Sequence, residues 1–294
     1  MRCLTLFLFM FLTSFVSAQT SMGPLKAPDP AELKRRAEIE KTNSELIKTL
    51  TPAAERGVAK AQLAIAQLYW IPGGGAGTPA VHKKARPWYE KAAAQGEPKA
   101  QWAMAFMCEC GLAGPKDKRS AMEWMEKAAK AGHLEAQFTL ARRYEKGIYR
   151  DPAKSFYWSE QAAKQGHAGA QLDLSHKYQF GQGTRKDLQQ AVLWAQLAAE
   201  KNDKYAQYRL GQLYQLGIGV KSDNSEAAKW YGKAAAQQHK AASCEYGLML
   251  YMGMGVKQDL AAAAKHLICA AVFNQKRAQH CLGVMYLRGH HYEK

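Results

Sequence analysis

After its first eighteen residues the chain has no apolar run that could span a bilayer, no Cys-x-x-Cys pair and no stretch alternating with period two. The first absence leaves no membrane-crossing segment in the body of the chain. The second argues against thiol redox chemistry and a zinc ribbon, and the third predicts no sheet. Ser-x-x-Lys, Gly-x-Ser-x-Gly, His-Glu-x-x-His and a phosphate loop are missing too, so no catalytic, cofactor-binding or metal-binding residue is expected. Acid is scarce as well: 25 Asp and Glu stand against 41 Lys and Arg, a formal net charge of +16. That field bears on partners rather than on fold, and would attract an acidic protein, an anionic headgroup or a cell-wall polymer. The bland alternative is a solvated face, with Lys91, Lys127, Lys164 and Lys233 at repeated helix-surface positions.

Residues 1–18 combine a basic start at Arg2, an apolar run from Leu4 to Val16 and the small-residue site Val16-Ser17-Ala18. This is the layout of a cleaved secretory signal peptide, and the run is shorter than the ~20 residues of a membrane anchor. The chain is expected to be exported, to the periplasm or beyond, with no stable membrane insertion after cleavage and no nucleic acid as partner. Of the five cysteines that follow, Cys108 and Cys110 point to different sides of a predicted helix. Cys269 and Cys281 could meet as a disulfide across an antiparallel helix pair, and an odd number leaves at least one thiol over.

What the sequence does contain is a ruler. Ala-Gln stands at 61, 100, 136, 170, 206 and 278, with Ala242-Ser243 in the one gap, at spacings of 39, 36, 34, 36, 36 and 36 residues. An Ala-Ala pair precedes each marker by eight residues, from Ala53-Ala54 to Ala270-Ala271. A fixed period in this range means stacked supersecondary units rather than one closed globule.

Counting from the marker alanine, position 4 is large and apolar (Ile65, Met104, Leu140, Leu174, Leu210, Tyr246, Leu282) and position 5 is always small. Position 8 is aromatic or apolar, and positions 0, 4, 5 and 8 make one stripe of an amphipathic helix, helix A. A glycine eleven residues after the marker ends it, from Gly111 to Gly289. Asp117, Asp151, Asp187, Asp223 and Asp259 are N-cap candidates for a second helix, helix B. Helix B carries aromatics at one repeat position (Trp88-Tyr89, Trp124, Tyr157-Trp158, Trp194, Trp230-Tyr231), read as packing rather than ligand binding. His133, His167 and His239 recur in the turn after helix B as part of the repeat, and chelation at the terminal His290-His291 is not expected.

The expected fold is all-α, a right-handed α-solenoid of antiparallel helix pairs: about six repeats and a partial seventh. Residues 19–30 read as an extended leader, 31–56 as an N-terminal capping helix, 57–289 as the solenoid and 290–294 as a tail. The last A helix lacks a B helix to cover it, which points to partial exposure of Val284, Met285 and Leu287.

The unit running from Ala206 to His239 resembles the Sel-one-like repeat, a relative of the tetratricopeptide repeat, through A-x-x-x-L-G, Y-x-x-G-x-G-V, A-x-x-W-Y and the alanine pair. The resemblance covers nearly all of 57–289. It departs at an insertion, Pro72–Gly77, and at a two-residue shortening around Ile148–Arg150. It implies an exported scaffold or adaptor holding a protein partner on a concave surface lined mainly by A helices, in envelope assembly or signal regulation. A second implied role is a periplasmic immunity protein neutralising a secreted toxin such as a phospholipase. A weaker one is the β-lactamase-like cysteine-rich group, whose paired cysteines are here alanine and glutamine or serine.

Positions 3, 6 and 7 lie outside the stripe and vary: Thr139, Arg142, Arg143; Asp173, His176, Lys177; Arg209, Gln212, Leu213. Stacking would join them into one basic band. Arginine is a favoured hot spot, so Arg142, Arg143, His176, Lys177, Arg209 and Gln212 are the candidate partner-binding residues, for an acidic protein; an ordinary solvated surface is the alternative. Phe106, Met107, Leu248 and Met249 are either an apolar contact surface or packing between repeats.

Overall fold

The computed structural model describes residues 29–70, 79–273 and 275–288. The signal segment, most of the leader, the Pro72–Gly77 insertion, Gly289 and the His290-His291 tail lie outside them. Among the described residues there are fourteen α-helices, one 3-10 turn and no strand. They form two compact units, one ending at Ala136 and one starting at Gln137. The first holds α1 (Pro30–Glu55), α2 (Ala59–Trp70), α3 (Pro79–Ala94), α4 (Pro98–Cys110) and α5 (Lys118–Lys130). The division falls within α6 (Leu134–Glu145). The second unit continues with α7 (Pro152–Lys164), α8 (Ala168–Phe180), α9 (Leu188–Glu200) and α10 (Lys204–Leu216). It ends with α11 (Asn224–Ala236), α12 (Lys240–Met252), α13 (Leu260–Val272) and α14 (Lys276–Leu287). Even-numbered helices are the A helices and odd-numbered ones from α3 the B helices, and within each unit they stack as an all-α solenoid. The end of α1 serves α2 as a B helix, with Ile47, Leu50 and Ala54 against Ala61 and Ile65.

Each helix starts and stops for a local reason. All five aspartates named above are N-caps, their carboxylates accepting from backbone N–H groups such as Gln190 N at 3.0 Å. The A helices end on left-handed Gly111, Gly181, Gly217 and Gly253. The B-helix turns use positive φ at Gly57, Gly96, Gly132 and Gly166, and also at Asn202 and Gln238. The loop from A to B is closed by one backbone bond, for example Asp187 N to Tyr178 O at 2.9 Å. In the shortened third repeat the same bond survives as Asp151 N to Tyr144 O at 2.8 Å, with a 3-10 turn at Gly147–Tyr149 taking up the difference.

The marker alanines are close-packing points: Ala100, Ala136, Ala170, Ala206, Ala242 and Ala278 are fully buried. Leu140, Leu174 and Leu210 at position 4 are also fully buried, each worth about 1.5–3 kcal/mol by area. Position 5 must be small because a B-helix side chain fills the space. A Cβ on Gly211 would stand 2.7 Å from the Tyr231 ring, and one on Gly247 2.8 Å from Leu267 Cγ.

The marker glutamine has a role that periodicity alone did not predict. It is buried, and its Nε2 donates to the last carbonyls of the preceding B helix: Gln62 to Ala54 O (2.9 Å), Gln101 to Ala93 O (3.2 Å), Gln171 to Ala163 O (3.2 Å), Gln207 to Ala199 O (3.3 Å). Each of these carbonyls also accepts the backbone N–H that closes the turn (Gly57, Gly96, Gly166 and Asn202), so the glutamine adds a second donor and ties the next A helix to that turn. Its Oε1 accepts in turn from a glutamine at the end of the next B helix: Gln95 on Gln62 (2.7 Å), Gln165 on Gln137 (2.7 Å), Gln237 on Gln207 (2.8 Å).

The histidines are N-caps of A helices. The Nδ1 atoms of His133, His167 and His239 accept from Ala136 N, Ala170 N and Ala242 N at 3.2, 3.0 and 3.1 Å. Each ring lies against the aromatic two residues past the preceding marker: Trp102, Phe138 and Tyr208. Where that residue is Leu172, the cap is Asp203 instead.

Three expectations need correction. Position 7 is not outside the buried stripe: Met107, Lys177, Leu213, Met249 and Met285 are all buried, because helix A packs on two sides of the marker face. Met285 is therefore not exposed at the end of the array, although Leu287 is 86 % exposed. Cys269 and Cys281 are free thiols, the first on the exposed face of α13 and the second inside the last core cluster, so they do not face each other.

Candidate partner-binding face

Within the second unit the variable positions of α6, α8, α10 and α12 form a row of alternating charge rather than one basic band. On α8, Asp173 accepts from Ser159 Oγ of α7 at 2.5 Å and pairs with Lys177 Nζ at 3.2 Å. Lys177 is only 2 % exposed, so it braces the α7–α8 interface and is not offered to a partner. His176 on the same helix is exposed and rests against Phe180. Burial lowers its pKa, and the neighbouring Arg209 charge lowers it further.

Arg209 and Gln212 lie one turn apart on α10, joined by a long contact of 3.4 Å from Arg209 Nη1 to Gln212 Oε1. Gln212 Nε2 donates to the Tyr208 hydroxyl at 3.0 Å, and Tyr231 OH of α11 donates to Gln215 at 2.8 Å. Desolvation lowers the Arg209 pKa and raises those of Tyr208 and Tyr231. On α12, Glu245 pairs with Arg277 of α14; burial pushes its carboxyl up, and the guanidinium pulls it back down. On α6, Arg142 is exposed with its guanidinium 5.9 Å above the Phe138 ring, and Arg143 is half-buried.

Five of the six candidate residues thus keep access to solvent on this unit: Arg142, His176 and the half-buried Arg143, Arg209 and Gln212. Sequence reasoning missed Glu245, Arg277, Tyr208 and Ser159. The signal was present in position 3, which reads Asp173, Arg209, Glu245 once the register is carried one repeat further.

The first unit presents different chemistry. Phe106 at the matching position packs edge-on to Trp70 at 6.2 Å, and Met107 is buried beside it. The apolar residues there are packing between repeats. The lysines of the B helices are exposed, and three cover the tryptophan one turn back: Lys91 over Trp88, Lys127 over Trp124, Lys233 over Trp230 at 4.0 Å. Among the described residues no group of three or more His, Cys, Asp or Glu is placed to hold a metal ion, and no helix is long and apolar enough to cross a membrane.

Comparison with solved structures places these units among known relatives. A protective antigen of uropathogenic Escherichia coli strains with an SLR fold is 31 % identical, at a TM-score of 0.73. That match covers 83 % of this chain but 52 % of the antigen structure, so the chain spans about half the antigen's length. A Sel1 repeat protein from Oxalobacter formigenes is 28 % identical over 94 % of this chain and 88 % of its own, at a TM-score of 0.64. No curated protein matches. The Sel1 repeat family model fits six consecutive segments, 59–97, 98–133, 134–167, 168–203, 204–239 and 240–271, each one A–B hairpin of the structure. With its repeats matched in register over most of its length, the chain belongs to the Sel1 repeat family.

Proposed function

We propose that this chain is exported and holds a polypeptide partner on the A-helix face of its second unit. Sel1 repeat proteins are protein-interaction scaffolds, which sets the class of activity. The observation that carries the choice of face is the contrast between constant and changing positions. Positions 0, 1 and 4 keep their character from repeat to repeat, whereas position 3 changes from Thr139 to Asp173, Arg209 and Glu245. Packing fixes the first set; position 3 differs in chemistry from repeat to repeat, which is what a surface that selects a partner requires. Export rests on the signal-like layout of residues 1–18, and a relative described as a protective antigen is consistent with it. The regulatory or envelope-assembly setting is part of the same proposal.

Photo-crosslinking tests the face. Crosslinkers at His176 and Gln212 of α8 and α10 are expected to capture one discrete polypeptide in cells. Crosslinkers at the exposed B-helix residues Gln196 and Lys229 are expected to capture none. Adducts from 196 and 229 alone would move the binding surface to the other side and sink the reading.

A further inference from the structure

We propose that Arg209 is the anchor for a carboxylate of the polypeptide partner. Among the described residues its buried Nε and Nη2 atoms have no hydrogen-bond partner, and its Nη1 approaches Gln212 Oε1 at 3.4 Å. That edge of a guanidinium is the one that takes a carboxylate through two parallel bonds. Asp173 is committed to Ser159 and Lys177 and Glu245 to Arg277, and among the described residues no carboxylate, Glu145 included, pairs with Arg209. Arg209 is therefore a charge without a counter-charge, set in a half-buried position among Tyr208, Tyr231 and His176. A charged donor left unpaired away from water destabilises the fold. Such a group persists where something outside the fold completes it. The Gln212 contact is too long to lock the side chain, so the guanidinium can swing toward an incoming acid while Gln212 and the Tyr208 hydroxyl line its approach.

This inference rests on the scaffold reading and specifies its partner chemistry. It makes an unusual joint prediction: Arg209→Gln should leave the unliganded protein equally or more stable while weakening binding. A merely structural arginine would do the reverse. The test uses the full chain and follows the Arg209 Nε–H signal by NMR, assigned by its loss in R209Q. Titrants are sodium acetate, acetyl-Ala-Ala-Glu-Ala-Ala-amide and the same peptide with glutamine in place of glutamate. The glutamate peptide should shift the signal and saturate at a concentration about tenfold below acetate, and the glutamine peptide should not shift it; Arg209→Lys, which keeps charge but loses the fork, should weaken the peptide about tenfold. A lowered unfolding midpoint in R209Q, equal response to both peptides, or acetate binding as tightly as the peptide would each overturn the proposal. Should R209Q still crosslink its partner from positions 176 and 212 with unchanged yield, the scaffold reading stands and the anchor falls. If those positions capture nothing in the wild type, the scaffold reading itself is wrong.

Discussion

The two units share one repeat yet lock successive repeats together differently. In the second, Gly183, Gly219 and Gly255 sit at φ near +70° with their Cα against the first turn of the preceding B helix. A Cβ there would come 2.0 Å from Pro152 O, 2.1 Å from Leu188 O and 2.2 Å from the Asn224 carbonyl carbon. In the first unit the same loop position is Ala113, at φ +57°, so a Cβ is accommodated and backbone cannot touch backbone as closely. The loop is held by a side chain instead, Arg86 Nη1 donating to Leu112 O at 3.3 Å. The repeat can thus fold without the glycine interlock. The interlock is an addition of the unit that carries the charged row, where it fixes the spacing between one repeat and the next.

The sharpest way to break that contrast is Gly219→Ala. The new methyl has only a backbone carbonyl to displace, and φ is already unfavourable for alanine. A loss of about 3 kcal/mol or more is expected. Hydrogen exchange should show it confined to helices α9 to α12. Ala113→Gly in the first unit should change its stability by less than about 1 kcal/mol. Equal effects from the two substitutions would show that the units do not differ at this joint.

A smaller effect separates the histidine caps from the aspartate cap. Burial lowers the pKa of His133 and His239 below the ordinary 6.5. The folded state therefore binds fewer protons than the unfolded one as pH falls past that value, and stability must drop on acidification. The cause is local: a protonated ring offers N–H where Nδ1 must accept from the helix, and it puts positive charge at the helix N-terminus. The expected loss between pH 7.5 and 5 is about 1 kcal/mol for each cap. His239→Asp copies Asp203, which accepts from Ala206 N at 2.8 Å, and should remove its share of the pH dependence. Thermal midpoints of wild type and variant that fall in parallel from pH 7.5 to 5 would refute this.

Helix order, caps and the repeat unit were legible because they depend on local signals: Asp117 or Asp223 before an alanine-rich run, Gly217 after the last apolar turn. The fate of Lys177 was not. Periodicity within one helix identifies the side facing its own hairpin partner, but burial at position 7 comes from a neighbouring repeat. Only the packed structure shows Lys177 meeting Asp173, with Ser159 of α7 on the same carboxylate. The basic band failed for the same reason, since Glu245 and Arg277 are 32 residues apart and pair through stacking. Aromatic stacking on the histidine caps, by contrast, was readable. Each of Trp102, Phe138 and Tyr208 lies 29 to 31 residues before the histidine that covers it, whereas Leu172 precedes an aspartate.

The smallest expected effect concerns the glutamine ladder, which is complete at some joints and broken at others. Gln101 Oε1 in the first unit and Gln171 Oε1 in the second are buried without a hydrogen-bond donor. The residue that should supply it, occupied by Gln95, Gln165 and Gln237 elsewhere, is Ala131 or Lys201. Ala131 has nothing to donate, and Lys201 sends its Nζ to Gly166 O at 2.5 Å. Ala131→Gln lies on exposed, helix-compatible backbone, so the substitution introduces no strain. It should raise first-unit stability by about 0.5 kcal/mol, the low end for one added hydrogen bond because the new donor is exposed. Lys201→Gln should gain less, because it gives up the Gly166 contact while completing the ladder. A double-mutant cycle with Gln101→Ala isolates the pair: the benefit of A131Q should vanish when the acceptor is removed. A benefit that persists in the Q101A background would show that glutamine at 131 acts through helix propensity alone, and that the ladder is not what joins these repeats.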